Sequence, residues 1–364
     1  MLTVKNLIML NDLTRLSKDV LRQICHAMDV PSIGHVHDLA LRVWKKVKDD
    51  RELQNEVFAL HQDKILAGRT AVTWYLAADE RLSGMKESLI RQHPFNPFER
   101  IEIPHPQDQL TETPTLIGAA GTDGAYYLRF MFKTGVTSYF YGSEMVAHPR
   151  CSTGTVYVDE NSGCVEIRSE ARYAARIAAS FADLTERSLV FDQQELLAPF
   201  AHDVEKVADA LSGELVDAVA RPELLLANIT SQQAKAVVSV LSALDVYFDE
   251  GHFDKLQETL TQAKEAFDNE FFSIPFTGLI LGGLEKVGMG VSGRDLRGIP
   301  MYDFLKPHLQ HQGGYIQFKV GGVPYTIRIG LPTNSIYFVT HATESVIKYV
   351  RERIFMKTSS QRLK

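Results

Sequence analysis

Three charged residues near a predicted β-turn are the first candidates for chemistry. Asp159 opens the turn-forming stretch DENSG, Glu166 follows the turn, and Arg168 comes two residues later. Two carboxylates in such a place could hold Mg²⁺, and a neighbouring cation could help to orient an attacking water. Arginine, however, keeps its charge at ordinary pH and cannot act as a neutral base. Exposed strand polarity is therefore the simpler interpretation.

Metal-dependent nucleases often carry an acidic residue that is followed along the chain by the motif E-x-K. The spacing here is distantly similar, with Arg168 in place of the lysine. A metal-dependent nuclease that uses Asp159 and Glu166 is therefore kept as an alternative function. The sequence contains no G-x-S-x-G elbow, Walker loop, H-E-x-x-H or C-x-x-C motif. We expect no catalytic residue outside this alternative.

Other motifs lack the partners that their chemistry requires. GMGVSG (288–293) matches G-x-G-x-x-G, but no good strand precedes it, so a loop is favoured over a dinucleotide site. His35 and His37 point in different directions at a helix start. His308 and His311 could share a helix face, but no third ligand follows. We predict neither a metal site nor a cofactor.

Composition and charge are those of an ordinary soluble globular protein. The chain has 364 residues, of which 45% are hydrophobic and 23% charged, and its net charge is −6. Residues 183–270 contain eighteen acidic and six basic residues, a net charge of −12, so the rest of the chain carries +6. This segregation indicates polar partners, or contact between acidic and basic parts of one assembly.

The cysteines and apolar segments predict a cytoplasmic protein without a membrane partner. Cys25, Cys151 and Cys164 show no paired spacing, which is typical of reduced thiols. The longest apolar run, 271–284, contains a proline and is too short to span a bilayer. We interpret it as a buried core segment.

The first 60 residues predict a pair of short amphipathic helices. Ser17 can cap the first helix, and Pro31 with Gly34 forms a break before the second. The apolar positions fall on one face of each helix. They are Val20, Leu21, Ile24 and Met28 in the first helix, and Val36, Leu39, Ala40, Val43, Trp44 and Val47 in the second.

The stretch 16–43, LSKDVLRQICHAMDVPSIGHVHDLALRV, resembles the SAP domain and its helix-extended-loop-helix relatives. Their second half follows roughly G-x-K-x-x-L-x-x-R-L. The matching positions are Gly34, Leu39, Arg42 and Val43. Val36 occupies the lysine position, and Asp29 replaces the usual glycine before the loop. The resemblance implies binding of DNA, or of a protein as in some relatives.

Basic residues at the two ends of the chain are the predicted DNA contacts. They are Arg42, Lys45, Lys46 and Lys48 near the end of the second helix, and Lys348, Arg351, Arg353 and Lys357 in the last helix. Cations at a helix C-terminus are also favoured by the helix dipole. Lys348 can in addition pair with Glu344 and Glu352 at i,i+4. Phosphate contact and these structural roles therefore remain alternatives.

From residue 125 the pattern changes to strands. A first hairpin is predicted from AYYLRFMF and VTSYFY, which are separated by residues 133–135. A second is predicted from TVYV and CVEIR. A helix over EARYAARIAASFADL completes a β-β-β-β-α unit. Earlier in the chain, AVTWYLAADERL (71–82) is expected to form a helix. The aromatic residues of these strands are more often core than stacking surfaces for single-stranded bases. They are Tyr126, Tyr127, Phe130, Tyr139 and Tyr141, with Arg129 and Lys133 among them.

The remaining chain predicts helices followed by a second group of strands. One apolar stripe runs from Val204 to Val219, and Phe253 to Phe267 forms another. Three strands are predicted next, YIQFKV, PYTIRI and SIYFV, with a Gly321-Gly322 turn between the first two. A terminal helix follows them. We predict an α+β protein in four parts. They are a helical SAP-like module (1–60), a first α+β unit (61–185), an acidic helical region (186–312) and a second β-sheet and helix unit (313–364).

Together these features predict a non-catalytic DNA-binding or scaffold protein of the cytoplasm. DNA, single- or double-stranded, is the expected partner, and protein subunits are further candidates. Genome maintenance or antiviral defence against foreign DNA would suit this function. The alternatives are the nuclease above and a protein–protein adaptor that docks through its acidic helical region.

Overall fold

The computed structural model describes residues 7–77, 82–106, 109–184, 190–220, 231–250, 253–266, 295, 297, 311–330 and 333–355. The α-helices are α1 (Leu10–Leu13), α2 (Lys18–Ala27), α3 (Val36–Val47), α4 (Arg51–Phe58), α5 (Gln62–Ile65), α6 (Met85–Gln92), α7 (Ala171–Asp183), α8 (Val204–Ala210), α9 (Ser231–Glu250), α10 (Phe253–Ala266) and α11 (Glu344–Val350). The strands are β1 (Ala71–Ala77), β2 (Thr115–Thr122), β3 (Ala125–Tyr141), β4 (Glu144–Asp159), β5 (Cys164–Arg168), β6 (Phe191–Gln193), β7 (Glu214–Ala220), β8 (His311–Val320), β9 (Val323–Gly330) and β10 (Ser335–Phe338). Short 3₁₀ turns cover Ala59–His61 and Ala198–Phe200, and a π-helical turn covers Arg351–Phe355. The predicted α+β class is confirmed.

The chain divides into two compact units. The first consists of Met1–Leu196 and Thr333–Lys364, and the second of Leu197–Pro332. Residues 313–364 therefore contribute to both units, because β8 and β9 fall in the second and β10 and α11 in the first. The SAP-like segment lies within the first unit together with the sheet that follows it.

In the first unit, six described strands form a continuous antiparallel path, and β6 pairs with β1 off this path. Its strand order is β2-β3-β4-β5-β1-β10. β10 pairs with the beginning of β1, at Ala71 and Val72, and β6 pairs with its end, from Tyr75 to Ala77. β5 pairs along the other edge of β1, from Val72 to Leu76, so β1 has partners on both edges.

The two faces of this sheet pack against different helices. α6 and α7 cover one face, where the strands contribute an apolar core. Those strand residues include Tyr75, Tyr126, Leu128, Phe130, Phe132, Val156, Val158, Val165 and Ile167. The N-terminal helices cover the other face and share a core with Ala120, Tyr127 and Tyr157. Because side chains alternate along a strand, Arg129, Glu166 and Arg168 belong to this second face.

The predicted helix over 71–82 is wrong, because Ala71–Ala77 is strand β1. Val72, Trp74 and Tyr75 are all buried. A strand that is covered on both faces shows a continuous apolar run, which periodicity cannot distinguish from a buried helix.

The predicted hairpin around 133–135 is also wrong. β3 continues through this stretch with a bulge between Lys133 and Gly135, and its turn lies at Gly142 and Ser143. Gly135 has a φ of 149°, a conformation that glycine adopts readily and that suits a bulge. The hairpin predicted between β4 and β5 is confirmed.

The second unit contains a three-stranded antiparallel sheet, β7-β8-β9, with helices α8 to α10. The β8–β9 hairpin around Gly321 and Gly322 is confirmed, and α10 packs on α9 as predicted. The single stripe from Val204 to Val219 is wrong, because α8 ends at Ala210 and β7 follows. The G-x-G-x-x-G motif and the apolar run 271–284 lie outside the described residues.

Candidate nucleic-acid interface

Local signals fix both ends of the first helix of the SAP-like segment. The Ser17 hydroxyl accepts a hydrogen bond from the Val20 N–H, as predicted for a cap. After α2, Asp29 adopts a left-handed conformation with a φ of 53°. The Val30 N–H then donates to the Cys25 carbonyl at 2.9 Å, which is a Schellman termination. Asp29 thus adopts a backbone conformation that is easier for glycine. Glycine is the residue that SAP domains usually carry at this position before the loop.

Two of the predicted DNA contacts hold the loop between α2 and α3. The Arg42 guanidinium donates to the carbonyls of Pro31 (3.0 Å) and Ile33 (2.6 Å). The Lys46 ammonium donates to the Met28 carbonyl. These bonds satisfy carbonyl groups that the end of α2 and the loop leave without helical partners. Arg42 and Lys46 therefore have a structural role in this connection.

The other two basic residues of α3 and its C-cap face solvent. Lys45 and Lys48 are exposed, and Lys48 lies 3.5 Å from the carboxylate of Asp49. Ile33 at the tip of the loop is also 85% exposed. An exposed ion pair of this kind is weak, so both ammonium groups can reach a phosphate.

The basic residues near the C-terminus are largely engaged. Lys348 lies 3.7 Å from Glu352, so that predicted i,i+4 pair is confirmed. Arg353 stacks on the Tyr349 ring at 3.7 Å. Arg351 is nearly buried and contacts Glu166 at 3.3 Å. Its charge is therefore used inside the protein, and Lys357 lies outside the described residues.

The helical segment is joined to the sheet by a buried ion pair. Asp12 of α1 and Arg129 of β3 are each 1% exposed and pair directly. Arg129 also donates to the Thr155 hydroxyl at 2.5 Å. Sequence reasoning missed this contact, although an arginine within the apolar strand AYYLRFMF is an indication that it needs an internal partner.

Glu166 lies at the centre of a charged cluster that the sequence did not predict. Its carboxylate is fully buried and accepts hydrogen bonds from Trp74 Nε1 (2.9 Å) and Arg168 Nε (2.8 Å). Arg351 contacts the same carboxylate. Burial favours a higher pKa for Glu166, but the two guanidinium groups and these hydrogen bonds hold its pKa below the ordinary value.

Arg168 links this carboxylate to the C-terminal helix. It donates to both oxygens of Glu344, at 2.6 and 2.8 Å, and to the Leu66 carbonyl at 3.1 Å. Its guanidinium also lies over the Tyr127 ring, 5.3 Å from the centroid. A bidentate pair of this geometry fixes the orientation of both side chains. The cluster thereby attaches α11 and the turn after it to the sheet.

The three residues of the nuclease alternative thus have internal partners. Asp159 accepts hydrogen bonds from the N–H groups of Asn161 (3.1 Å) and Ser162 (3.3 Å) within the β4–β5 turn. Glu166 and Arg168 bind each other inside the core. A metal ion at Glu166 would have to displace two guanidinium groups from a fully buried carboxylate. Among the described residues, no three His, Cys, Asp or Glu side chains lie together so as to hold a metal ion.

No protein-family model matches this chain, and no curated protein matches it by sequence.

None of the helices in the described ranges is long and apolar enough to cross a membrane. All three cysteines are unpaired, as the spacing predicted.

Most of the aromatic residues considered for base stacking form the core instead. Tyr126, Tyr127 and Phe130 are buried. Tyr139 is 50% exposed and stacks on His148 at 5.7 Å. It lies on the distal part of β3, beyond the sheet.

The position of Glu166 predicts an acid-dependent loss of stability. A lowered pKa in the folded state contributes stability that is present above the pKa of an unfolded-chain glutamate, about 4.3. This contribution is lost as the pH falls through the lower folded-state pKa. We expect the free energy of unfolding to fall over this acidic range, by up to about 1.4 kcal/mol per pH unit from this group.

Urea unfolding followed by tryptophan fluorescence at several pH values measures this slope, since both tryptophans, Trp44 and Trp74, lie in the first unit. Glu166→Gln removes the titrating group and should flatten the slope. An identical pH dependence in wild type and variant would contradict the assignment.

Proposed function

We propose that this protein is a non-catalytic DNA-binding or scaffold protein, and that its helix-loop-helix segment contacts the phosphate backbone. One observation carries the proposal: the loop between α2 and α3 is fixed by Arg42 and Lys46, while Lys45 and Lys48 at the C-terminal end of α3 remain exposed. A segment whose loop is fixed and whose ammonium groups are exposed can bind a nucleic acid without reorganising first.

The electrostatic demands on such a site are modest. Residues 183–270 carry a net charge of −12 and the rest of the chain +6, so a basic surface on the first unit is compatible with the composition. Two or three phosphate contacts give salt-sensitive binding, on the order of 10⁻⁴ to 10⁻⁶ M at physiological salt. Val36 removes one contact that the SAP family usually makes, and Lys45 with Lys48 supplies contacts from the other end of the helix. A cytoplasmic role in genome maintenance or defence against foreign DNA is part of this proposal.

Replacing Lys45 and Lys48 together with glutamate should weaken DNA binding. Each lost phosphate contact lowers the slope of log K against log salt by about 0.9, so the double variant should lose nearly two units of slope. Fluorescence anisotropy with labelled single- and double-stranded DNA, from about 50 to 200 mM salt, measures the effect. Lys46 is left unchanged because it holds the loop.

The matched control is Lys255→Glu with Lys264→Glu on α10, which makes the same charge change in the second unit. This control should leave the salt slope unchanged. If both double variants weaken binding equally, the contact is not at α3. If the wild-type chain binds neither kind of DNA at low salt, the segment docks a protein instead.

A further inference from the structure

The distal halves of β3 and β4 form a two-stranded ribbon beyond the rest of the first unit's sheet, and we call residues 134–150 the β-arm. β2 pairs with β3 only as far as Met131, and β5 pairs with β4 only from Thr155. Within the described residues, no further strand pairs with the edges of the β-arm. These edges present backbone N–H and C=O groups that another strand could bind.

One face of the β-arm is apolar and exposed. Residues that are directly opposite in an antiparallel pair share a face, and the pairs on this face are Val136 with Pro149, Ser138 with Ala147, and Phe140 with Met145. Phe140 is 82% exposed, Met145 65% and Val136 48%. An isolated two-stranded ribbon is marginally stable in water, and a contiguous exposed apolar patch marks an interaction surface.

The two edges of the β-arm are not equivalent. β4 carries Pro149, which has no N–H to donate, and the charged residues Glu144 and Arg150, features that protect an edge from strand addition. The β3 edge, 134–143, reads TGVTSYFYGS and contains neither a proline nor a charge. Its threonine, valine and aromatic residues favour extended pairing. Strand addition is therefore favoured at β3.

The charges of the β-arm select an antiparallel arrangement of two copies. Arg150 lies at its base, next to Lys133 of β3 just outside it, and Glu144 lies at its tip. When two β3 edges pair antiparallel about a twofold axis, the anionic tip of each arm lies beside the cationic base of the other. A parallel arrangement would place like charges together. The same segment then binds itself, as a twofold interface requires.

We propose that the β-arm binds a second copy of this chain by antiparallel β3–β3 pairing, which brings the exposed Val136 and Phe140 side chains of the two copies side by side on one face. Pairing along one short strand edge leaves the faces of the ribbon open, so the contact is smaller than the roughly 800 Å² per partner of a standard interface. The dimer is therefore reversible and depends on concentration. This inference does not rest on the DNA-binding proposal.

Sedimentation equilibrium of the full-length chain between about 1 and 100 µM tests the proposal. The average mass should rise with concentration from 40.8 kDa toward twice that value. Phe140→Asp brings a carboxylate into the contact and should keep the protein monomeric throughout. The matched control is Leu60→Asp, which alters a residue of similar exposure (86%) away from the β-arm and should associate like wild type.

Circular dichroism of each variant checks that the fold is retained, and Val136→Asp, on the same strand and face, provides a second test if Phe140→Asp does not fold. A wild-type protein that stays monomeric at every concentration overturns the proposal. Dimerisation of both β-arm variants at wild-type strength also overturns it. A monomeric wild type whose DNA affinity falls on Phe140→Asp would assign the β-arm to nucleic acid instead.

Discussion

Replacing Arg168 with methionine should lower the free energy of unfolding by about 3–5 kcal/mol, because it leaves a buried carboxylate without its main partner. Arg168 binds Glu166 and Glu344 while only 2% of its side chain is exposed. Methionine fills a similar volume, so the effect reports the lost charge rather than a large cavity. Urea unfolding followed by tryptophan fluorescence measures the change in the midpoint.

Arg172→Met is the matched control for this experiment. Arg172 also forms an ion pair, with Glu170 at 2.7 Å, but 69% of its side chain is exposed. Exposed pairs contribute less than about 1 kcal/mol. If Arg172→Met and Arg168→Met destabilise the protein equally, burial of the cluster is not the cause.

Asp12→Ala should be comparably destabilising, by about 3–5 kcal/mol, because Arg129 then remains buried with only the Thr155 hydroxyl as its side-chain partner. The variant should also loosen the N-terminal helices from the sheet, so limited proteolysis should cut within residues 7–66 faster than in wild type. Asp19→Ala is the control, since Asp19 pairs with Arg22 at an exposed site. It should change neither the unfolding midpoint nor the cleavage rate.

A double variant separates the charge effect from packing. Replacing a buried ion pair with apolar residues of similar volume is often neutral or stabilising. Asp12→Leu combined with Arg129→Met should therefore be more stable than Asp12→Ala. A double variant as unstable as the single one would show that the pair supports the fold by another route.

The junction at Asp12 also changes how the SAP-like segment is understood. The sequence predicted a module of residues 1–60 that would tether the rest of the chain. In the structure its helices share a core with Ala120, Tyr127 and Tyr157 of the sheet. Any ligand held at Lys45 and Lys48 is therefore presented by the sheet unit as a whole.

The sequence by itself determined the elements whose signals are local. Ser17 caps α2, the 3.6-residue period places Ile177 and Phe181 of α7 in the core, and the Gly321-Gly322 turn closes the β8–β9 hairpin. The interactions that fix these elements join residues close in the chain, so composition and period carry the information.

Only the tertiary structure decided the role of the charged residues. Trp74 meets Glu166 across 92 residues of sequence, and Arg168 meets Glu344 across 176. No local pattern specifies such pairs, so Glu166 and Arg168 resembled an exposed or catalytic group until the fold brought their partners together. The strand β1 was mistaken for a helix for the same reason, since its hydrogen-bond partners lie in β5 and β10, far along the chain. Contacts between segments that are distant in the chain bury these residues inside the sheet unit. The periodicity of the sequence does not reveal such contacts.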